Sequence, residues 1–232
     1  MKLLEQTSGL TDRVYNAILH EILDGDLKPG MHLVQENLAE QLGVSRQPVQ
    51  QAMALLKADG LVEQFGRRGL RVTGLDLDRM QNHYEIRGLL DGYAARQAAE
   101  RVRDGTIEQA KGIDEMHRLF RSGNRAAEKG TVREQIEYDE AFHYKIYELS
   151  GNPVLLDSVE VHWRFLRRAM GEVLRHAEPP EEIWNQHAEI AEAILSGKPH
   201  QAEELATAHA RNVSKKLQLS LEKMPDMLAR QV

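Results

Sequence analysis

Residues 38–49 read Leu38-Ala39-Glu40-Gln41-Leu42-Gly43-Val44-Ser45-Arg46-Gln47-Pro48-Val49. They join the end of one short helix to the start of another. Leu38, Ala39 and Leu42 recur at helical spacing, which predicts a helix over Gln35–Leu42 with those residues inward. Gly43 stops it as a left-handed cap. Ser45 can cap a further helix running to about Asp59, and Pro48 falls in its first turn, where a missing N–H costs little. Val49, Met53 and Leu56 share one stripe of that helix. Arg46, Gln47, Gln50 and Gln51 point away from it.

Upstream, Thr11 is placed to cap a helix over Asp12–Asp24, with Val14, Ile18 and Ile22 as its apolar stripe. Gly25 ends it and Lys28-Pro29-Gly30 signals a turn. Downstream, Leu61–Phe65 and Leu70–Thr73 alternate like strands around Gly66-Arg67-Arg68-Gly69, a hairpin with a basic tip. Helix, helix, Gly-Val-Ser turn, helix and basic hairpin make a winged helix-turn-helix, in which one short helix braces another that enters the major groove. Arg suits guanine O6/N7 and Gln suits adenine N6/N7. Arg67, Arg68 and Arg71 lie within five residues, as a wing touching phosphates needs.

The same residues resemble the GntR family of transcription regulators: 38–49 is similar to its "LA..LGVSRxPV" core, and Leu55–Val62 to its "L..DGLV" step. The resemblance implies that Ser45, Arg46, Gln47, Gln50 and the Gly66–Gly69 wing contact DNA. Family members usually continue "PVREAL"; here Gln50 stands where an arginine commonly meets the operator, so the operator sequence is open.

The 232 residues carry 30 Lys and Arg against 36 Asp and Glu, a net charge of −6, so any DNA contact has to come from a local patch. There is no cysteine, which excludes a disulfide scaffold, a thiolate zinc finger and a cysteine nucleophile. No signal-peptide pattern is read at the start, and no apolar run approaches the roughly 20 residues of a membrane helix. The expected location is cytoplasmic and nucleoid-associated.

After Gly74 the chain reads as six or seven helices, with spans near 78–103, 106–122, 131–149, 153–176, 180–195 and 200–223. Gly105, Gly123, Gly130, Gly151-Asn152-Pro153, Pro179-Pro180 and Gly197-Lys198-Pro199 separate them. Asp139 and His143 are four apart, on the helix face that carries Ile136 and Ile146. An ionised carboxylate on a buried face needs a partner. His187 falls on the stripe of Trp184, Ala191 and Ile194, and His209 on that of Ala202 and Leu205. A divalent metal would satisfy all four, and imidazole with carboxylate suits zinc, nickel, manganese or iron(II). The alternative is a set of satisfied core histidines.

Asp139-Glu140-Ala141-Phe142-His143 resembles the "DxxFH" motif of the all-helical FCD domain that defines the FadR branch of the GntR family. Gly151-Asn152-Pro153, Gln186–Ile194 and His209 are similar to its later motifs. The resemblance covers about 79–222 and implies that Asp139, His143, His187 and His209 ligate one divalent metal per chain, zinc first. Arg87 fits the "E.R..L" signature of the first FCD helix. It could clamp a carboxylate effector bidentately or pair within its helix with Asp91. His162, on the stripe of Leu155, Val159 and Leu166, could line the effector cavity or sit in the core. Trp163, Arg164, Arg167 and Arg168 read as surface or interface residues.

The expected protein is mainly α: residues 1–74 a winged helix-turn-helix, 75–232 an antiparallel, FCD-like helical bundle. It would be a homodimeric transcription regulator, a repressor, whose affinity for operator DNA answers to a small carboxylate. Two rivals are a metal-dependent enzyme using the Asp/His site and an architectural DNA-binding module without ligand response.

Overall fold

A computed structural model describes residues 9–66, 69–106, 109–176, 181–224 and 228. They fall into two compact units, one reaching Leu75 and including Leu228, the other beginning at Asp76.

In the first unit the described elements are α1 (Leu10–Asp24), β1 (His32–Leu33), α2 (Gln35–Gln41), α3 (Arg46–Ala58), β2 (Val62–Phe65) and β3 (Gly69–Val72). The strands form an antiparallel sheet in the order β1-β3-β2, with Val62 opposite Val72 and Glu63 opposite Arg71. The predicted hairpin is therefore present, but β1 is an addition: His32 pairs with Arg71 and Leu33 with Leu70. Two residues are too few to show alternation in a sequence. The core gathers Val14, Ile18 and Ile22 of α1, Val49, Met53 and Leu56 of α3, and Leu61, Leu70 and Val72 of the sheet region. Helix α1 starts two residues before its predicted start. Gly9 is its cap position, and the Gly9 N–H donates to the Asp12 carboxylate at 3.1 Å. Thr11 lies inside the helix instead, its hydroxyl donating to Gln51 of α3 at 2.7 Å.

The second unit is a helical bundle: α4 (Leu77–Arg103), α5 (Gln109–Lys129), α6 (Val132–Ser150), α7 (Pro153–His176), α8 (Glu181–Leu195) and α9 (Pro199–Leu221). Helix α4 is its axis and packs on α6, α7, α8 and α9. The approach of α9 is close because α4 offers glycine there: a Cβ on Gly92 would lie 2.4 Å from the Thr207 hydroxyl. Gly123 does not end α5, which runs on to Lys129. A Cβ there would fall 1.9 Å from the Trp184 ring, so the glycine admits the indole rather than breaking the helix.

Trp163 and Arg168 are not surface residues: Trp163 is fully buried and Arg168 is 2% exposed. The aliphatic stem of arginine suits such a position once its head is paired. Arg167 binds Glu140 and Arg164 lies 3.4 Å from Glu160.

Candidate functional site

Two surfaces carry polar chemistry. The first is the outer face of α3. Ser45 is its cap position without a side-chain cap bond, and Ser45, Arg46, Gln47 and Gln50 are all exposed. Burial of Val49, Ala52, Met53 and Leu56 on the opposite face fixes that orientation. Arg46 reaches Glu36 of α2 at 3.2 Å, an exposed pair of small energetic value that leaves the guanidinium free to exchange partners. Arg71 is on β3, its Nε donating to Glu63 at 2.6 Å and its guanidinium 5.0 Å from the Phe65 ring centre. His32 meets the same ring edge-on at 4.1 Å. This His32–Phe65–Arg71 stack escaped the sequence reading because β1 did. Arg67 and Arg68 lie outside the described residues.

The second is buried. Helix α6 contributes Asp139 and His143, α8 contributes His187 and α9 contributes His209. The ligand atoms of the three histidines lie within 4.8 Å of one another. His187 Nε2 is 3.3 Å from His209 Nε2 and 3.4 Å from Asp139 Oδ1. All four residues are buried.

Their proton positions follow from their neighbours. His143 Nδ1 faces the Asp91 carboxylate at 3.4 Å. Burial disfavours that carboxylate's charge, but Arg87, His143 and Tyr147 outweigh it and hold its pKa at about 2. An ionised Asp91 only accepts, so Nδ1 of His143 is the donor in this contact, and the ring's other nitrogen is Nε2. That Nε2 is buried with no hydrogen-bond partner. His209 Nδ1 is 2.9 Å from Gln186 Oε1, another acceptor, so Nδ1 donates there too and the neutral ring keeps its lone pair on Nε2. Burial first, and neighbouring positive charge second, push His187 and His209 well below the ordinary histidine range. Asp139 is raised, chiefly by burial.

His143 Nδ1 facing a carboxylate and His209 Nδ1 facing an amide oxygen have the outer support that metal-ligating histidines use, while His187 Nδ1 is buried with no such partner. The orphaned His143 Nε2 and the three nitrogen, one oxygen set therefore fit a divalent cation. Sequence reasoning missed this outer support. Asp91 was visible as a partner for Arg87, four residues away, but not as the acceptor for His143 and Tyr147 as well. Gln186 was visible only as the neighbour of His187.

Arg87 makes the pairing within its helix with Asp91. Its Nε bonds Asp91 at 3.2 Å, its guanidinium lies 4.1 Å from the Trp163 ring centre, and its buried Nη2 has no partner. Arg87, Asp139 and His209 line a cavity of about 410 Å³. His162 is elsewhere: it does not line that cavity, and its Nδ1 is 3.0 Å from Nδ1 of His83. Its helical spacing located a face of α7 but not the neighbour that face would meet.

Comparison with known proteins matches the description "Bacterial regulatory proteins, gntR family" over residues 10–72 and "FCD domain" over 82–212. The HTH-type transcriptional repressor RspR of Escherichia coli K12 is 24% identical over 91% of this chain and 90% of its own. The HTH-type transcriptional regulator McbR of the same strain is 29% identical over 79% of this chain and 81% of its own. The Glc operon transcriptional activator, also of that strain, is 27% identical over 92% and 91%. Among solved structures, E. coli McbR/YncC superposes with a TM-score of 0.77 at 23% identity, covering 93% of this chain and all of that one. These are regulators rather than enzymes, and GntR regulators bind operator DNA. Among the described residues no helix is long and apolar enough to cross a membrane. The two family matches, one over the unit with the exposed Arg/Gln helix face and one over the bundle with the inward Asp/His cluster, place the chain in the GntR family of bacterial regulatory proteins, as a transcriptional regulator with an FCD domain.

Proposed function

We propose that this regulator binds its operator as a homodimer and that a small carboxylate, held at a divalent metal in the FCD domain, sets its operator affinity. The observation that carries the reading is the convergence of three imidazoles, with Asp139 Oδ1 3.4 Å from Nε2 of His187, beside a cavity that Arg87 also lines. Asp139, His143, His187 and His209 would hold the ion: zinc first, with nickel, manganese or iron as alternatives. With Asp139 ionised, a bound divalent ion leaves a formal charge of about +1, which attracts an anion. Arg87 presents Nη2 to a carboxylate while Asp91 keeps the guanidinium charged and in place.

The homodimer reading is supported by Ile86, Leu89 and Tyr93 on α4, which are 45%, 67% and 43% exposed at three- and four-residue spacing. An apolar stripe left open on the bundle fits a second copy of itself, and a two-fold dimer suits a near-palindromic operator. A cytoplasmic, nucleoid-associated location follows from the DNA target. Repression is the proposed sign; relatives include a named repressor and a named activator.

Binding the effector would shift the population of DNA-competent states, a coupling typically of about 1–3 kcal/mol, or roughly 5- to 150-fold in affinity. The test is a gel-shift titration against the DNA upstream of the protein's own gene, with and without a panel of small mono- and dicarboxylates, before and after chelation. The reading predicts retardation that at least one acid changes, with the change lost after chelation. An unchanged response after chelation would make any metal a structural staple only.

A further inference from the structure

The cavity beside the histidine cluster is chemically lopsided. Its charged and imidazole wall is Arg87, Asp139 and His209, all buried, with Gln135 and Ser220 as further polar lining. Met170, Val173, Ile183, Trp184, Val213 and Leu217 supply apolar wall. Along α9 the lining runs from His209 to Ser220, eleven residues or about 16 Å at 1.5 Å per residue. It passes from a buried end at His209 to an open one, where Leu219 is 51% exposed. The cationic group toward that open end, Lys216, is already paired with Glu182. The volume of about 410 Å³, at about 30 Å³ per non-hydrogen atom, the share of a water molecule in the liquid, corresponds to about 14 such atoms.

An acid of two or three carbons would occupy the polar wall and leave the rest of the lining against water. A polyhydroxylated or multiply charged acid would lose hydration along the apolar wall without gaining hydrogen bonds there. We infer that the effector is amphipathic: a monocarboxylic acid with an apolar tail of about seven to ten carbons, its head at Arg87 and its tail along α9 toward Leu219. This rests on the reading that Arg87 and the histidine cluster hold an acid, and it assigns that acid's class.

The test is calorimetric titration of the full-length protein, as isolated, with straight-chain monocarboxylates from propanoate to dodecanoate below their micelle-forming concentrations. The primary alcohols of matching length and the dicarboxylate succinate are run beside them. Each added methylene should tighten binding about fourfold until about ten carbons, where the series levels off. Val213→Trp should move that plateau to shorter chains, and the milder Val213→Ala should move it one or two carbons longer. Affinity that is flat or falling from propanoate upward, or succinate binding more tightly than octanoate, would overturn the tail while the acid reading stands. Alcohols matching the acids at every length would overturn the carboxylate head, and with it the reading beneath.

Discussion

The two units of this regulator spend their polar residues in opposite directions. In the first, the described core is apolar, from Val14 and Ile18 through Leu56 to Val72, and Arg46, Gln47 and Gln50 face out. In the second, Arg87, Asp91, Asp139, His143, Arg168, Glu172, His187 and His209 are all buried; among the described residues no charged group or histidine is buried in the first. A surface that reads DNA has to keep its donors and acceptors in solvent until the duplex arrives. A site for a small ligand has to keep them dry, where each contact is stronger, and has to satisfy them in the meantime. The contrast teaches that the same residue types, Arg and Gln among them, take their function from the side of the helix that carries them.

The largest expected effect comes from breaking the polar core. Asp91 answers Arg87, His143 and Tyr147 together. Asp91→Ala leaves the Arg87 charge buried and uncompensated, which should cost about 3–5 kcal/mol in denaturant unfolding of the second unit. Replacing both partners, Arg87→Leu with Asp91→Leu, should recover the part of that loss due to the uncompensated charge, His143 and Tyr147 still lacking their acceptor, while abolishing carboxylate binding. This would sharpen the comparison by separating the two purposes of the buried charges. No recovery at all relative to Asp91→Ala would mean that the uncompensated Arg87 charge is not what destabilises the single variant.

Breaking the apolar core should cost about as much without touching ligand chemistry. Leu56 is fully buried between α1, α3 and the sheet region, so Leu56→Ala should lose about 2–5 kcal/mol with metal content unchanged by elemental analysis.

A smaller effect is expected on the outer face. Arg46→Ala should weaken operator binding by about 1–3 kcal/mol and relax base preference at one position, read by gel shift over a set of operator variants. Its ion pair with Glu36 is exposed, so thermal stability should hardly move.

The smallest effect concerns His83. Burial first, then His162 and Arg79, lowers its pKa to about 4 from an ordinary 6.5. The folded state thus keeps His83 neutral, while an unfolded chain takes up the proton below pH 6.5. The stability tied to this is fully present above pH 6.5 and is lost as the pH falls through 4. His83→Gln should flatten the Tm-versus-pH curve over that interval relative to wild type. An identical slope in both proteins would remove His83 from the account.

Most of this contrast was legible in the sequence, because periodicity reports which side of a helix is apolar. Val49, Met53 and Leu56 exposed Arg46, Gln47 and Gln50 by elimination, and Ile136 with Ile146 placed Asp139 and His143 inward. What periodicity does not report is which helices meet. The acceptors that fix the imidazole protons, Asp91 and Gln186, lie on α4 and α8 while their partners lie on α6 and α9. His162 was misplaced for the same reason. Glycine was ambiguous in a related way: Gly123 reads as a break in sequence, but in the fold it is the space a tryptophan needs. The strand His32–Leu33 was silent because two residues carry no pattern; only their pairing with Leu70 and Arg71 defines it.

The central claim, that the inward cluster is a metal site, has one most direct measurement: the metal content of the purified, chelator-free protein by elemental analysis, for wild type and for His187→Ala. The account predicts about one divalent ion per chain in the wild type and a marked loss in the variant, with a lower Tm because an ion bound only by the folded state stabilises it. No metal in the wild type, and no uptake when zinc, nickel or manganese is added, would contradict it.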